Sequence, residues 1–137
     1  MPQLTVTRTA ISAMIEAARS ALPQEACGLL LGSDGHVERF EQTANVAADP
    51  HRHFEIDPAA LIAAHRAERA GGPAIVGYFH SHPTGRAEPS ATDRAQAAAD
   101  GRVWAIAAPD GKIGWFVSAA DGFAPVTPQI VTGPPKP

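Results

Sequence analysis

The sequence predicts an α/β fold, with one mixed sheet flanked by helices. Three observations carry that prediction. Apolar runs at residues 27–31, 74–79 and 103–108 are short and continuous, as buried strands are. Between them lie stretches whose apolar residues recur at helical spacing and whose ends carry capping or breaking residues. The 137 residues suit one domain with its own core, and no period repeats along them. Residues 1–131 are read as that domain, and 132–137 as a loose, proline-rich tail.

The elements follow in order. Over residues 9–22, Ile11, Met14, Ile15, Ala18 and Leu22 share one helical face, and Pro23 ends the helix. Residues 27–31 form a buried strand closed by Gly32. The turn Ser33-Asp34-Gly35 leads into a return strand at 36–41, so the pair is a hairpin. Residues 43–53 carry few apolar side chains and read as a loop, with a short strand at 54–56. Asp57 caps the next helix, Pro58 fits its first position, and Gly71-Gly72-Pro73 stops it after about Ala70. A buried strand at 74–79 runs straight into His80-Ser81-His82-Pro83, and a polar loop covers 84–89. Ser90 opens an alanine-rich helix expected to reach Asp100-Gly101. Strands at 103–108 and 112–118 are joined by a turn at Pro109-Asp110-Gly111, and an edge strand is expected at 129–131.

Composition excludes several functions. A formal net charge of −3 gives no basic excess for holding nucleic acid by its phosphates. No apolar run approaches the roughly 18–20 residues needed to span a bilayer. The N-terminus lacks the basic-then-apolar order of a signal peptide, so a cytoplasmic location is expected, without nucleic acid or membrane as partners. The single cysteine, Cys27, rules out an internal disulfide and a cysteine-based zinc finger. It lies in an apolar strand and reads as a packed core thiol. There is no His-Glu-x-x-His, no Pro-Cys-x-x-Cys, no Gly-x-Ser-x-Gly and no glycine-rich phosphate loop.

The informative segment is His80-Ser81-His82-Pro83. Residues i and i+2 of a strand point to one side, so His80 and His82 present two imidazoles together at a strand end. Imidazole is a good zinc ligand, and two histidines with one carboxylate leave a position open for water. Asp93, eleven residues after His82, is the carboxylate within loop reach. Taken alone, Ser90-Ala91-Thr92-Asp93 reads more readily as a capping box. His51-Arg52-His53 repeats the His-x-His spacing, but no buried strand supports it, so these are loop histidines. His36 and His65 read as surface residues. A water activated by a metal also needs a base, and Glu25, just before the strand at 27–31, is the candidate.

Glu25-Ala26-Cys27-Gly28-Leu29-Leu30-Leu31-Gly32, followed by His80-Ser81-His82-Pro83, Ser90 and Asp93, resembles the JAMM (MPN-plus) motif of zinc isopeptidases and peptidases, in its small stand-alone prokaryotic form. The spacing agrees at each motif position, and the element order is compatible over about residues 3–131. The resemblance implies an MPN/JAMM-like, cytidine-deaminase-like α-β-α architecture. It implies one zinc ion per chain on His80, His82 and Asp93, Glu25 as general base, and Ser90 as donor to the oxyanion. It further implies hydrolysis of an amide bond at the C-terminal tail of a ubiquitin-like or sulfur-carrier protein. Such a glycine-rich tail is expected to lie along a strand edge, with residues 84–89 and 45–54 lining its groove. The alternative is a non-catalytic MPN-type protein-binding module, and the complete motif argues against it.

Overall fold

The structure is a computed structural model that describes residues 3–132. The chain opens with strand β1 (Thr5–Thr7) and helix α1 (Arg8–Ala21). The hairpin β2 (Cys27–Ser33) and β3 (His36–Thr43) follows, then α2 (Pro58–Arg69), β4 (Ala74–Ser81) and the short α3 (Ala91–Gln96). Strands β5 (Val103–Ala107), β6 (Ile113–Ala119), β7 (Gly122–Pro125) and β8 (Gln129–Val131) complete it. One eight-stranded sheet runs in the order β7-β6-β5-β4-β2-β3-β1-β8. It is mixed: β4 pairs in parallel with β5, and β1 in parallel with β3 and β8, while the other pairs are antiparallel. Among the described residues, no helix is long and apolar enough to cross a membrane.

Strand alternation divides the core into two layers. Leu30 of β2 joins Phe79, Val103 and Met14 beneath α1, whereas Leu29 and Leu31 meet Leu61 and Ala64 of α2 on the other face. The result is helix over sheet over helix. A register shift between β2 and β4 leaves Val76 without a partner. That bulge lets Ile75 and Tyr78, an odd number of residues apart, both face α2. Strand β5 is buried along its whole length, which suits a central strand covered on both faces.

The three helix starts read from the sequence are correct within a residue. Thr7 caps α1: its hydroxyl oxygen accepts from the Ala10 amide at 3.1 Å and donates to the Glu38 carbonyl at 2.7 Å. Asp57 caps α2 through the Ala59 amide, with Pro58 in the first turn as expected. Several expectations are corrected. Strands β1 and β7 were not expected. Residues 54–56 do not form a strand; only Ile56 pairs, in a single bridge with Asn45. The helix after Ser90 stops at Gln96. His36 is buried, not on the surface, because β1 pairs with the start of β3 and covers it. Both of its ring nitrogens are used, one toward Thr5 and one toward Glu38. The proline-rich tail lies outside the described residues from 133 onward.

Gly77 pairs with Val103 in the β4–β5 ladder. A Cβ added there would collide with the main-chain carbonyl of Val103. The neighbour is backbone inside a ladder, so the strands themselves would have to part. Gly77→Ala is therefore expected to destabilise the protein by about 2–3 kcal/mol, read as a lowered urea midpoint with unchanged slope. An unchanged midpoint would mean that the two strands separate at no cost.

Candidate metal centre

The end of β4 carries His80 and His82 on the α2 face of the sheet. His80 is fully buried and His82 is half-buried. The loop after Pro83 returns at Ser90, which starts α3 and brings the buried Asp93 back over the strand end. The Oδ2 atom of Asp93 lies 3.0 Å from Nε2 of His80 and 3.2 Å from Nε2 of His82, and the two nitrogens are 3.1 Å apart. Three ligand atoms thus form a nearly equilateral triangle.

With Asp93 ionised, no placement of protons satisfies that triangle. If both nitrogens donate to the carboxylate, the histidines present two donors to each other. If either Nε2 lacks its proton, it faces the carboxylate oxygen as acceptor to acceptor. A cation among three lone pairs satisfies all three edges. Tetrahedral ligands about 2.0–2.1 Å from zinc stand roughly 3.3 Å apart, close to the observed edges. The residues present therefore fit a small, borderline-soft metal ion.

The surroundings prepare the lone pairs. Nδ1 of His82 donates to the Arg86 carbonyl at 2.8 Å, which leaves Nε2 as the free nitrogen of the neutral ring. His80 is oriented differently. Its buried Nδ1 has no hydrogen-bond partner among the described residues. Phe54 stacks on its ring at 4.2 Å with planes 14° apart, and Trp104 meets it edge-on at 5.6 Å. Burial lowers the His80 pKa and outweighs the neighbouring carboxylate, so the neutral ring is favoured. For Asp93, burial opposes ionisation, yet the hydrogen bonds from His80 and His82 hold the carboxyl well below the usual range. The His82 pKa is raised, because Asp93 and the Arg86 carbonyl outweigh its burial.

Both readings of the Ser90 segment hold together. Ser90 Oγ accepts from the Asp93 amide at 3.1 Å, and the Ser90 amide donates to Asp93 Oδ2 at 2.9 Å. This is a capping box whose acid is also a member of the triangle. The Ser90 hydroxyl keeps its own proton free to donate outward. Glu25, His82 and Ser90 line one open cleft of about 370 Å³, together with the loop at 83–89 and the exposed His51 and Arg52. Glu25 itself is 5% exposed. Burial raises its pKa from 4.5 to about 7, with His82 opposing and Asp93 adding to the shift.

Cys27 is buried beside Thr43 and pairs with His80 across the β2–β4 ladder, but it is a packed thiol and not a member of the triangle. His51 and His53 lie in the loop and do not join the triangle. Strand β4 is paired on both sides, by β2 and β5, and the sheet edges are β7 and β8. Among the described residues, His82 therefore lines its cleft beside loops and not beside a free strand edge. Sequence reasoning missed Phe54 and Trp104 as supports of His80. Their aromatic character was visible, but the long-range packing that gives them this role was not.

The profile of a family described as prokaryotic homologs of the JAB domain matches residues 7–119. The chain is 40% identical to a desampylase of Haloferax volcanii over 100 residues, 72% of this chain and 72% of that protein. A solution structure of a Desulfitobacterium hafniense protein superposes with a TM-score of 0.79 at 33% identity, covering 94% of this chain and 92% of that one. A chain solved as a JAMM, a metalloprotease-like zinc site in the proteasome and signalosome, superposes with a TM-score of 0.61 at 19% identity. The match covers 94% of this chain and 98% of that one, and the likeness is one of fold.

Proposed function

This chain belongs to the prokaryotic JAB-domain family, and from that premise we propose that it is a zinc-dependent isopeptidase acting on the C-terminal tail of a ubiquitin-like or sulfur-carrier protein. The observation that carries the reading is the triangle of His80, His82 and Asp93, whose His82 lines the same cleft as Glu25 and Ser90. The 40% identity to a desampylase supports a hydrolase over a binding module.

His80, His82 and Asp93 would hold one zinc ion. The chemistry zinc supplies when bound is Lewis acidity, which polarises a carbonyl and acidifies water. Glu25 takes a proton from the attacking water and returns it to the leaving amine. Burial raises the proton affinity of the Glu25 carboxyl in the metal-free protein, the direction that a group which accepts and then returns a proton requires. The Ser90 hydroxyl, fixed by the cap, donates to the oxyanion that develops on the scissile carbonyl. The loops at 45–55 and 83–90 receive the extended tail.

The test is elemental analysis of untagged protein, followed by incubation with a ubiquitin-like protein joined through its C-terminus to a lysine side chain. About one zinc per chain and release of the free protein are expected, with release abolished by a chelator and restored by added zinc. Zinc binding without cleavage of any such conjugate would favour the binding module. Failure to bind zinc would remove the basis of the proposal.

A further inference from the structure

A general base works only where its carboxylate is held, because a displacement of about 1 Å can cost 10²-fold in rate. Glu25 stands two residues before β2 begins, outside the strand ladder. Its placement comes from elsewhere. The main-chain polar groups of Glu25 and Ala26 are all taken by other segments. The Glu25 amide donates to the Pro50 carbonyl at 2.8 Å. The Ala26 amide donates to Ser81 Oγ at 2.8 Å, and its carbonyl accepts from the Ser81 amide at 3.0 Å. The Glu25 carbonyl accepts from the side-chain amide of Asn45 at 3.0 Å.

We propose that Asn45 is a positioning residue for Glu25, clasping the peptide of the base to the loop that presses Phe54 onto His80. This rests on the function proposed above. Asn45 sits at the neck of that loop, paired across it with Ile56. Its Nδ2 also donates to the His53 carbonyl at 3.0 Å, one residue before Phe54. Its Oδ1 accepts from the Ala47 and Glu55 amides, each at 3.1 Å. Carbonyls surround one end of the carboxamide and amides the other, so a single orientation is possible. Only a carboxamide supplies donors and an acceptor at this reach. An aspartate keeps the acceptor half and loses the clasp. One side chain thereby ties the base to the loop whose Phe54 stacks on His80.

The experiment compares Asn45→Ala and Asn45→Asp in the zinc-loaded protein. The expected result is a kcat lower by about 10–100-fold, with KM within about threefold and zinc content unchanged. Placed in a Glu25→Gln background, either substitution should cost less than about twofold further, since there is no base left to position. Amide exchange at Glu25 should accelerate at least about tenfold while Phe79 in β4 stays protected. Should Asn45→Ala fail to fold, Asn45→Asp decides, because it retains the bonds from Ala47 and Glu55. A kcat within about twofold of the unsubstituted protein overturns the proposal. So does a loss that follows zinc loss, or one that persists undiminished without Glu25. If the unsubstituted protein cleaves no conjugate, the functional reading fails separately. Exchange at Glu25 then decides the role of Asn45, and unchanged exchange overturns it.

Discussion

His82→Ala is expected to purify with less than about a tenth of the normal zinc and to lose at least roughly 10³-fold in hydrolysis. Among the three members of the triangle, His82 gives the cleanest test. His80 lies at the centre of an aromatic cluster with Phe54 and Trp104, and its truncation leaves a cavity in the core. Asp93 closes the capping box of α3, and its removal would also cost the helix start about 1 kcal/mol. The His82 side chain is 12% exposed, and outside the triangle its one hydrogen bond is to the Arg86 carbonyl. Its loss leaves two protein ligands, too few for a tight zinc site. Elemental analysis and a thermal scan on the same sample separate the outcomes. Retained zinc at an unchanged melting temperature would place the metal elsewhere. Lost zinc with an intact fold assigns it to the triangle.

The same paired histidines illustrate how much of the site is legible in the sequence. Strand parity alone puts His80 and His82 on one face, and Pro83 ends the strand where they emerge. The caps at Asp57 and Ser90 follow from side chains that satisfy free amides locally. Features that depend on distant partners were not legible. β1 is three residues long and exists because β3 and β8 flank it. The helix after Ser90 has good helix formers to Ala99, yet the chain leaves the helix at Ala97. There the Ala98 carbonyl accepts from the Ser118 hydroxyl and the Gly101 amide donates to the Ser118 carbonyl, which draws the chain onto β6. Tertiary bonds override propensity there. The sequence places Phe54 in a short strand, whereas its ring stacks on a histidine ring.

The site follows the same division. The residues proposed as ligands, base and oxyanion donor can be read from residue type and spacing. Residues that hold them in place, such as Phe54, Trp104 and Ser81, have no type-specific signal. Their roles arise from which segments the sheet order β5-β4-β2 brings side by side.

Glu25→Gln separates chemistry from stability, and the two effects have opposite signs. The substitution keeps size and shape but removes the group that moves the proton, so turnover should fall by about 10²–10⁴-fold with zinc content unchanged. Retained turnover would exclude Glu25 as the base. The stability effect follows from burial. In the metal-free protein the folded carboxyl holds its proton up to about pH 7, while the unfolded one releases it near 4.5. Across that window the folded state binds more protons, so stability falls as pH rises, and above it the carboxylate is kept buried at full cost. Glutamine carries no such cost. Metal-free Glu25→Gln should therefore be more stable than the parent above pH 7, by on the order of 1–3 kcal/mol, with the gain vanishing below about pH 4.5. Denaturant midpoints at several pH values read this directly. A pH-independent difference would mean that Glu25 is better solvated than its 5% exposure implies. A gain that grows with pH, joined to a loss of turnover, marks a carboxylate that the fold keeps against its own stability, as a base beside a metal centre requires.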